Sequence, residues 1–264
     1  MDWYAIWQTI KLLRYIVKFP KWIEGITYVV NYYCRKPVNV IVYGVSGAGK
    51  TEFVRSLFEE PVSETPPSRT RFFEKKRLIL KDGRKVRFYD VPGHSSLRQQ
   101  RTEVTNLISR KKIKGIINVT TYGYNEVDEA DTSSVFKLDT KDIPEIKNEY
   151  ISLNRRRELE QIKEWAPFVT SSNKIKWVIT IVNKADIWEN EKSVVLEYYQ
   201  NGDYYEQFTK TIERVCQTSV FPYCSIISPF ANKAMKLEFS ERDKAILHNT
   251  LKKDLLKIVS GKYK

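Results

Sequence analysis

Three short clusters in the 264-residue chain combine residue types and spacings that can do chemistry. Gly44-Val45-Ser46-Gly47-Ala48-Gly49-Lys50-Thr51 fits GxxxxGK[ST]. Small residues let the backbone curl so that successive N–H groups face a phosphate chain, and a helix opening behind them adds the positive end of its dipole. Lys50 brings a full charge to the outer phosphates, and the Thr51 hydroxyl can ligate Mg²⁺. The second cluster is Asp90-Val91-Pro92-Gly93, followed by His94. A carboxylate at a strand end can hold a water on Mg²⁺, and the Gly93 N–H can contact a γ-phosphate and report its presence. The third is Asn183-Lys184-Ala185-Asp186. Guanine offers N1–H and its 2-amino group side by side, a pair that one carboxylate accepts together and that adenine lacks. Asp186 is the natural reader of that edge. The Asn183 amide can reach the O6/N7 edge and brace the loop, and the Lys184 stem can lie over the purine face.

These clusters need strands ending at them. Val38–Tyr43 is a β-branched run entering the glycine-rich loop, so it reads as a buried strand, and Thr51–Phe58 reads as a helix. Arg71–Leu80 and Lys85–Val91 alternate as strands around an Asp82-Gly83 hairpin turn. Lys114–Thr120, Trp177–Val182 and Tyr223–Ile227 complete six strands. Helical stretches at about Ser96–Arg110, Leu153–Trp165, Val194–Gln217 and Ser240–Ile258 alternate with them. That rhythm predicts a three-layer α/β domain with a mostly parallel six-stranded sheet and helices on both faces.

Residues 121–150 break the rhythm. They hold eight acidic and three basic residues between a strand and a helix. This is far longer than the usual βα loop of about 2–6 residues, so an acidic insertion is expected there. Residues 1–36 form a second addition, ahead of a domain at 37–264. Trp3, Ile6, Trp7, Ile10, Leu13 and Val17 recur at helical spacing, Pro20 stops or kinks that helix, and a second apolar segment runs from Trp22 to Tyr33. Trp3, Trp7 and Trp22 set among Lys and Arg suit a membrane interface; the same stripe suits packing or self-association.

Composition removes several classes. Apolar residues are 42% and charged residues 29% of the chain, a globular balance. Cys34, Cys216 and Cys224 form no CxxC pair, and His94 and His248 are the only histidines. A disulfide scaffold and a zinc site are therefore not expected, and a reducing, cytoplasmic setting is. Lys11, Arg14 and Lys18 interrupt any secretory apolar core, and no run reaches the ~18 apolar residues of a membrane span. The net charge of +13 suggests anionic partners. No aromatic-interleaved basic motif accompanies the C-terminal lysines, so nucleic acid is not favoured among them.

In this order, Gly44–Thr51, Asp90–Gly93 and Asn183–Asp186 resemble the signature motifs of Ras-like and translation-factor-like P-loop GTPases. The resemblance covers roughly Val38–Ile258 outside the acidic stretch. It implies Mg²⁺-dependent binding of GTP and GDP, hydrolysis of GTP, two switch loops, and an effector or activating partner. It implies a switch threonine on Mg²⁺, for which Thr70 is favoured over Thr65 because it directly precedes a strand. It gives His94 the task of orienting the attacking water. It also implies a serine-led base loop after the last strand, where Ser228 is favoured over Ser225 on strand length, although Pro229 has no N–H to offer. Arg69 and Arg71 flank the switch threonine and could complete the charge stabilisation in cis, though solvated charges are the favoured reading. The N-terminal helix is similar in placement to that of Arf-like GTPases, but Asp2 stands where myristoylation needs glycine. Two functions follow from the resemblance: a slow GTP-hydrolysing switch, and a GTP-gated scaffold or membrane-associated interaction module with little or no hydrolysis; the expected setting is cytoplasmic, with a peripheral membrane position as the variant.

Overall fold

The computed structural model describes residues 20–58, 74–80, 82–91, 106, 113–125, 148–171, 174–212, 217–227 and 239–260. Two compact units make up the chain, Met1–Val38 with Arg77–Arg87, and Asn39–Lys76 with Phe88–Lys264. Six strands lie in one sheet: β1 (Val38–Gly44), β2 (Glu74–Ile79), β3 (Lys85–Asp90), β4 (Ile113–Thr120), β5 (Trp177–Val182) and β6 (Gln217–Pro222), in the order β2-β3-β1-β4-β5-β6. β1 with β4, β4 with β5 and β5 with β6 are parallel. The architecture is the three-layer α/β fold that the alternation of elements predicts.

The register explains why the motifs converge. Gly44 pairs with Val119, Thr120 with Val182, and Val182 with Pro222. All four strands therefore end on one edge, where loops of an open parallel sheet gather around ligands. The helices are α1 (Pro20–Cys34), α2 (Lys50–Leu57), α3 (Asn148–Ser171), α4 (Ala185–Trp188), α5 (Lys192–Gln200), α6 (Asp203–Thr211) and α7 (Glu241–Ser260), with a 3₁₀ turn at Glu189–Glu191.

In the larger unit, Ile41 and Tyr43 of β1 and Val178 of β5 enter a cluster with Ile162, Trp165 and Val169 of α3 and with Tyr199, Tyr204 and Phe208. The alternate strand residues Val40, Val42, Ile179 and Ile181 are equally buried, as are Phe53 and Leu57 of α2 and Leu251 and Leu255 of α7. Strands apolar on both faces are what a sheet covered by helices on both sides requires. In the smaller unit, the Asn31 side chain donates to the Asp82 carbonyl at 2.7 Å, and the Lys85 ammonium lies 4.0 Å from the centre of the Tyr32 ring. The Asp82-Gly83 turn holds Gly83 at φ +82°, where a Cβ would stand 2.2 Å from the Tyr28 carbonyl oxygen. On α1, Val29, Val30 and Tyr33 are 53%, 45% and 76% exposed.

Several boundaries differ from expectation. Val194–Gln217 is not one helix: Asn201 and Gly202 separate α5 from α6, and both amides return to the Glu197 carbonyl. The last strand is β6 (Gln217–Pro222), not Tyr223–Ile227. It is an end strand of the sheet and only partly buried, so it lacks the apolar run that marks a central strand. Pro20 begins α1, a position where its missing N–H is harmless. α3 runs from Asn148 through Pro167 to Ser171, beyond the expected Leu153–Trp165 at both ends. Within the acidic stretch, Thr121, Tyr122, Tyr124 and Asn125 are buried, and α3 starts before residue 150. The helices expected at 3–19 and 96–110 lie outside the described residues, as does the middle of the acidic stretch. Among the described residues no helix is long and apolar enough to cross a membrane.

Candidate functional site

β1 delivers the chain to the sheet edge at Gly44, and α2 starts at Lys50. Ser46, Gly47, Ala48 and Gly49 make the turn between them. Gly49 has φ +78°, and a Cβ there would lie 2.6 Å from the Asn183 Nδ2. Glycine is needed at that position both for the left-handed backbone and for the close approach. At Gly44 a Cβ would stand 2.4 Å from the Val119 carbonyl oxygen of the neighbouring strand. The Gly44–Gly49 loop is thus pressed between β4 and Asn183.

The Lys50 ammonium donates to the carbonyls of Gly44 at 2.8 Å and Val45 at 2.9 Å, curling back over the loop. Burial pulls its pKa down to about 8, against the opposing attraction of the Asp90 carboxylate. Thr51 Oγ1 donates to Asp90 Oδ2 at 2.9 Å, and Asp90 is buried at the end of β3. A hydroxyl and a carboxylate side by side behind a phosphate loop are a hard-oxygen set, the chemistry that suits Mg²⁺ completed by phosphate and water. No cluster of three or more His, Cys, Asp or Glu that could hold a metal occurs among the described residues. The Thr51 hydroxyl and Asp90 carboxylate are two oxygen donors, a set that fits Mg²⁺ with phosphate and water as its other ligands.

β5 delivers Asn183. Its Nδ2 donates to the Ala48 carbonyl at 3.0 Å, and its Oδ1 accepts from the Ser225 N–H and hydroxyl, each at 3.0 Å. The Trp188 indole N–H caps the Asn183 carbonyl at 2.8 Å. Lys184 sits at φ 60° ahead of α4, and its ammonium donates to the Tyr124 carbonyl at 2.8 Å. Asp186 is fully buried, and the Cys224 thiol donates to its Oδ1 at 3.4 Å. Burial, followed by the Asp186 charge, pushes the Cys224 pKa up, so the thiol stays protonated as a donor. Beside this loop, a cavity of about 360 Å³ is lined by Ser56, Tyr223, Cys224, Ser225 and His248 among others.

The structure thus brings Gly44 through Thr51, Asp90, Asn183, Lys184 and Asp186 to one edge. Thr65, Thr70, Gly93, His94 and Ser228 lie outside the described residues. β6 ends at Pro222, earlier than the expected strand end, and the segment after it places Ser225 against Asn183. Cys224, Tyr124 and Trp188 were not legible as site residues. Cys224 and Tyr124 meet partners on other loops, Asp186 and Lys184, whereas Trp188 bonds back to Asn183 of its own segment.

Residues 35–139, about two fifths of the chain, match the family model of the signal recognition particle receptor beta subunit. The matched segment holds β1 through β4 with the Gly44–Thr51 and Asp90–Gly93 clusters, and Asn183–Asp186 lies beyond it. Two solved structures are similar to this chain. "The Structure of the Mammalian SRP Receptor" aligns at TM-score 0.46 and 12% identity, over 75% of this chain and 97% of that one. The bacterial selenocysteine-specific elongation factor EF-Sec aligns at TM-score 0.43 and 15% identity, over 76% of this chain. The similar region spans only 28% of that factor's chain. No curated protein matches the sequence.

Proposed function

We propose that this G domain is a nucleotide switch that binds GTP with Mg²⁺ and hydrolyses it slowly to GDP and phosphate. The observation that carries the reading is the Asn183 side chain bonded to both Ala48 and Ser225, because it joins a phosphate loop to a base-reading loop. In this reading the N–H groups of Ser46–Thr51 and the Lys50 ammonium hold the phosphates. Thr51 and Thr70, or Thr65 in its place, present hydroxyls to the metal, and Asp90 holds a water on it. Bound Mg²⁺ neutralises charge developing on the transferred phosphoryl group. Gly93 donates to the γ-phosphate, and His94 orients the attacking water. Asp186 accepts from the guanine N1–H and 2-amino groups, the Lys184 stem covers the purine, and the base loop at Ser225 or Ser228 closes over O6.

The remainder of the chain supplies contacts. Residues 1–36 form an extension to the domain at 37–264 and dock at a membrane surface or on a second copy, and residues 121–150 offer an acidic face to a protein partner. The setting is cytoplasmic, peripheral at a membrane where the extension binds lipid. A second reading, a GTP-gated binding module that barely turns over, draws support from the match to a receptor subunit and from exposed Val29, Val30 and Tyr33 on α1.

Purified protein with GTP and Mg²⁺ separates the two. Phosphate release that disappears in His94→Ala, with binding intact, is expected of the switch; tight binding with no release, alone or with membranes, is expected of the module. Asp186→Asn should weaken GTP and favour xanthosine triphosphate, whose 2-position is a carbonyl. A wild type that prefers ATP removes the guanine assignment. Liposome flotation with and without residues 1–36 tests the extension.

A further inference from the structure

The Thr121–Asn125 turn, where the chain leaves β4, holds an unusual number of polar contacts. The Thr121 and Gly123 N–H groups both donate to Glu158 Oε1, at 2.9 and 3.2 Å. The Tyr122 N–H donates to the Tyr199 hydroxyl at 2.9 Å, which donates in turn to Glu158 Oε2 at 2.6 Å. The carbonyls of Tyr122, Gly123 and Asn125 accept from Arg155, Asn154 and Tyr150, all on α3. The Tyr124 carbonyl instead accepts from the Lys184 ammonium at 2.8 Å. Tyr122 is held at φ 57°, a left-handed backbone that a bulky residue adopts only when its surroundings impose it.

Glu158 is the centre of this arrangement. It is 1% exposed on α3 and accepts from two backbone amides and two hydroxyls, which suits an ionised, acceptor-only carboxylate. Burial pushes its pKa up while these donors pull it down. Removing it would strand two buried amides, so the turn could not keep its shape.

We propose that the Thr121–Asn125 turn is a working part of the guanine site, with Glu158 as its positioning residue: Glu158 fixes the turn, the Tyr124 carbonyl fixes the Lys184 ammonium, and Lys184 is thereby held ready for the purine. This rests on the guanine-nucleotide reading above. Lys184 is fixed at its backbone by the left-handed geometry and at its tip by Tyr124. A side chain immobilised at both ends loses little further freedom when the base arrives, which is how preorganisation raises affinity. Coupling is reciprocal, so a shift of the turn, which opens the acidic stretch, changes nucleotide affinity, and nucleotide changes the turn.

A double-mutant cycle on the full-length protein tests this, with a fluorescent GDP analogue and inorganic pyrophosphate as probes. In the wild-type background, Glu158→Leu should weaken GDP binding about tenfold, the scale of a charged hydrogen bond. Pyrophosphate, which engages the phosphate loop alone, should bind unchanged. Glu158→Gln keeps an acceptor for both amides and should restore GDP affinity to within about twofold. In a Lys184→Met background, which keeps the stem and removes the amine, Glu158→Leu should have less than about a twofold effect. Tyr199→Phe removes one acceptor and one donor from the same network and carries the same cycle if Glu158→Leu does not fold. Losses that multiply across the two backgrounds, or an equal loss of pyrophosphate binding, overturn the proposal. A wild type that binds no guanine nucleotide instead removes the reading beneath it.

Discussion

The side-chain Nδ2 of Asn183 donates to the Ala48 carbonyl at 3.0 Å, although the two are separated by 135 positions in the chain. The same amide's oxygen holds Ser225, so one side chain ties the Gly44–Lys50 loop to the segment after β6. Asn183→Ala leaves the Ala48 carbonyl and the Ser225 N–H without this partner. The expected cost is about 1–3 kcal/mol of stability and about a tenfold loss of GDP affinity. Urea unfolding and nucleotide titration measure the two separately.

The Thr51 hydroxyl and Asp90 carboxylate are already in contact at 2.9 Å. Thr51→Val conserves shape and deletes the hydroxyl, so the nucleotide should still bind while its sensitivity to Mg²⁺ is lost. GDP dissociation followed with and without a chelator gives the answer. The wild type should release GDP faster when Mg²⁺ is removed, and the variant should release it at one rate in both conditions.

Lys50 makes nucleotide binding pH-dependent. Its pKa falls from 10.5 to about 8 in the folded protein, chiefly through burial. Across that window the unfolded chain holds the proton and the folded chain does not, so this group's contribution to stability rises with pH. Binding has the opposite sign. Phosphates favour the ammonium, so the complex holds more protons than the free domain above about pH 8, and affinity falls as pH rises, by up to about tenfold per unit. Calorimetry in buffers of different ionisation enthalpy should record proton uptake above that pH. Lys50→Met should bind weakly throughout and show no such slope.

Gly115 pairs with Trp177 across β4 and β5, and a Cβ on it would stand 2.2 Å from the indole ring. Gly115→Ala should therefore destabilise the sheet by about 1–3 kcal/mol through overpacking. Nucleotide affinity of the folded fraction should hardly change, because neither residue touches the motif loops. Denaturant midpoints and GDP titration together check both halves.

Much of the site was legible because its chemistry is local. The glycines, Lys50 and Thr51 stand together in sequence, and so do Asn183 through Asp186. Short β-branched runs before each cluster announced β1 and β5, which are central and apolar on both faces. β6 was misplaced by several residues because an end strand is half-exposed and carries no such run. The segment after β6 therefore begins earlier than the sequence pattern suggests, and in it the Ser225 N–H meets Asn183. The break between α5 and α6 was also missed, since Tyr198, Tyr199 and Tyr204 continue an aromatic pattern across Asn201 and Gly202.

By itself, then, the sequence determined an α/β sheet and three residue clusters whose types suit phosphate, metal and guanine chemistry. Those properties depend on which residue types are adjacent, and adjacency is written along the chain. Only the tertiary structure decided that Asn183 joins two loops, that a thiol accompanies Asp186, and that Tyr124 holds Lys184. Glu158 shows the reason most plainly. On an exposed helix face a glutamate is a solvated charge, whereas on α3 it is buried and bonded to Thr121, Gly123 and Tyr199. What a charged residue does is set by the solvent it loses and the donors it meets, and both are fixed only when distant segments pack.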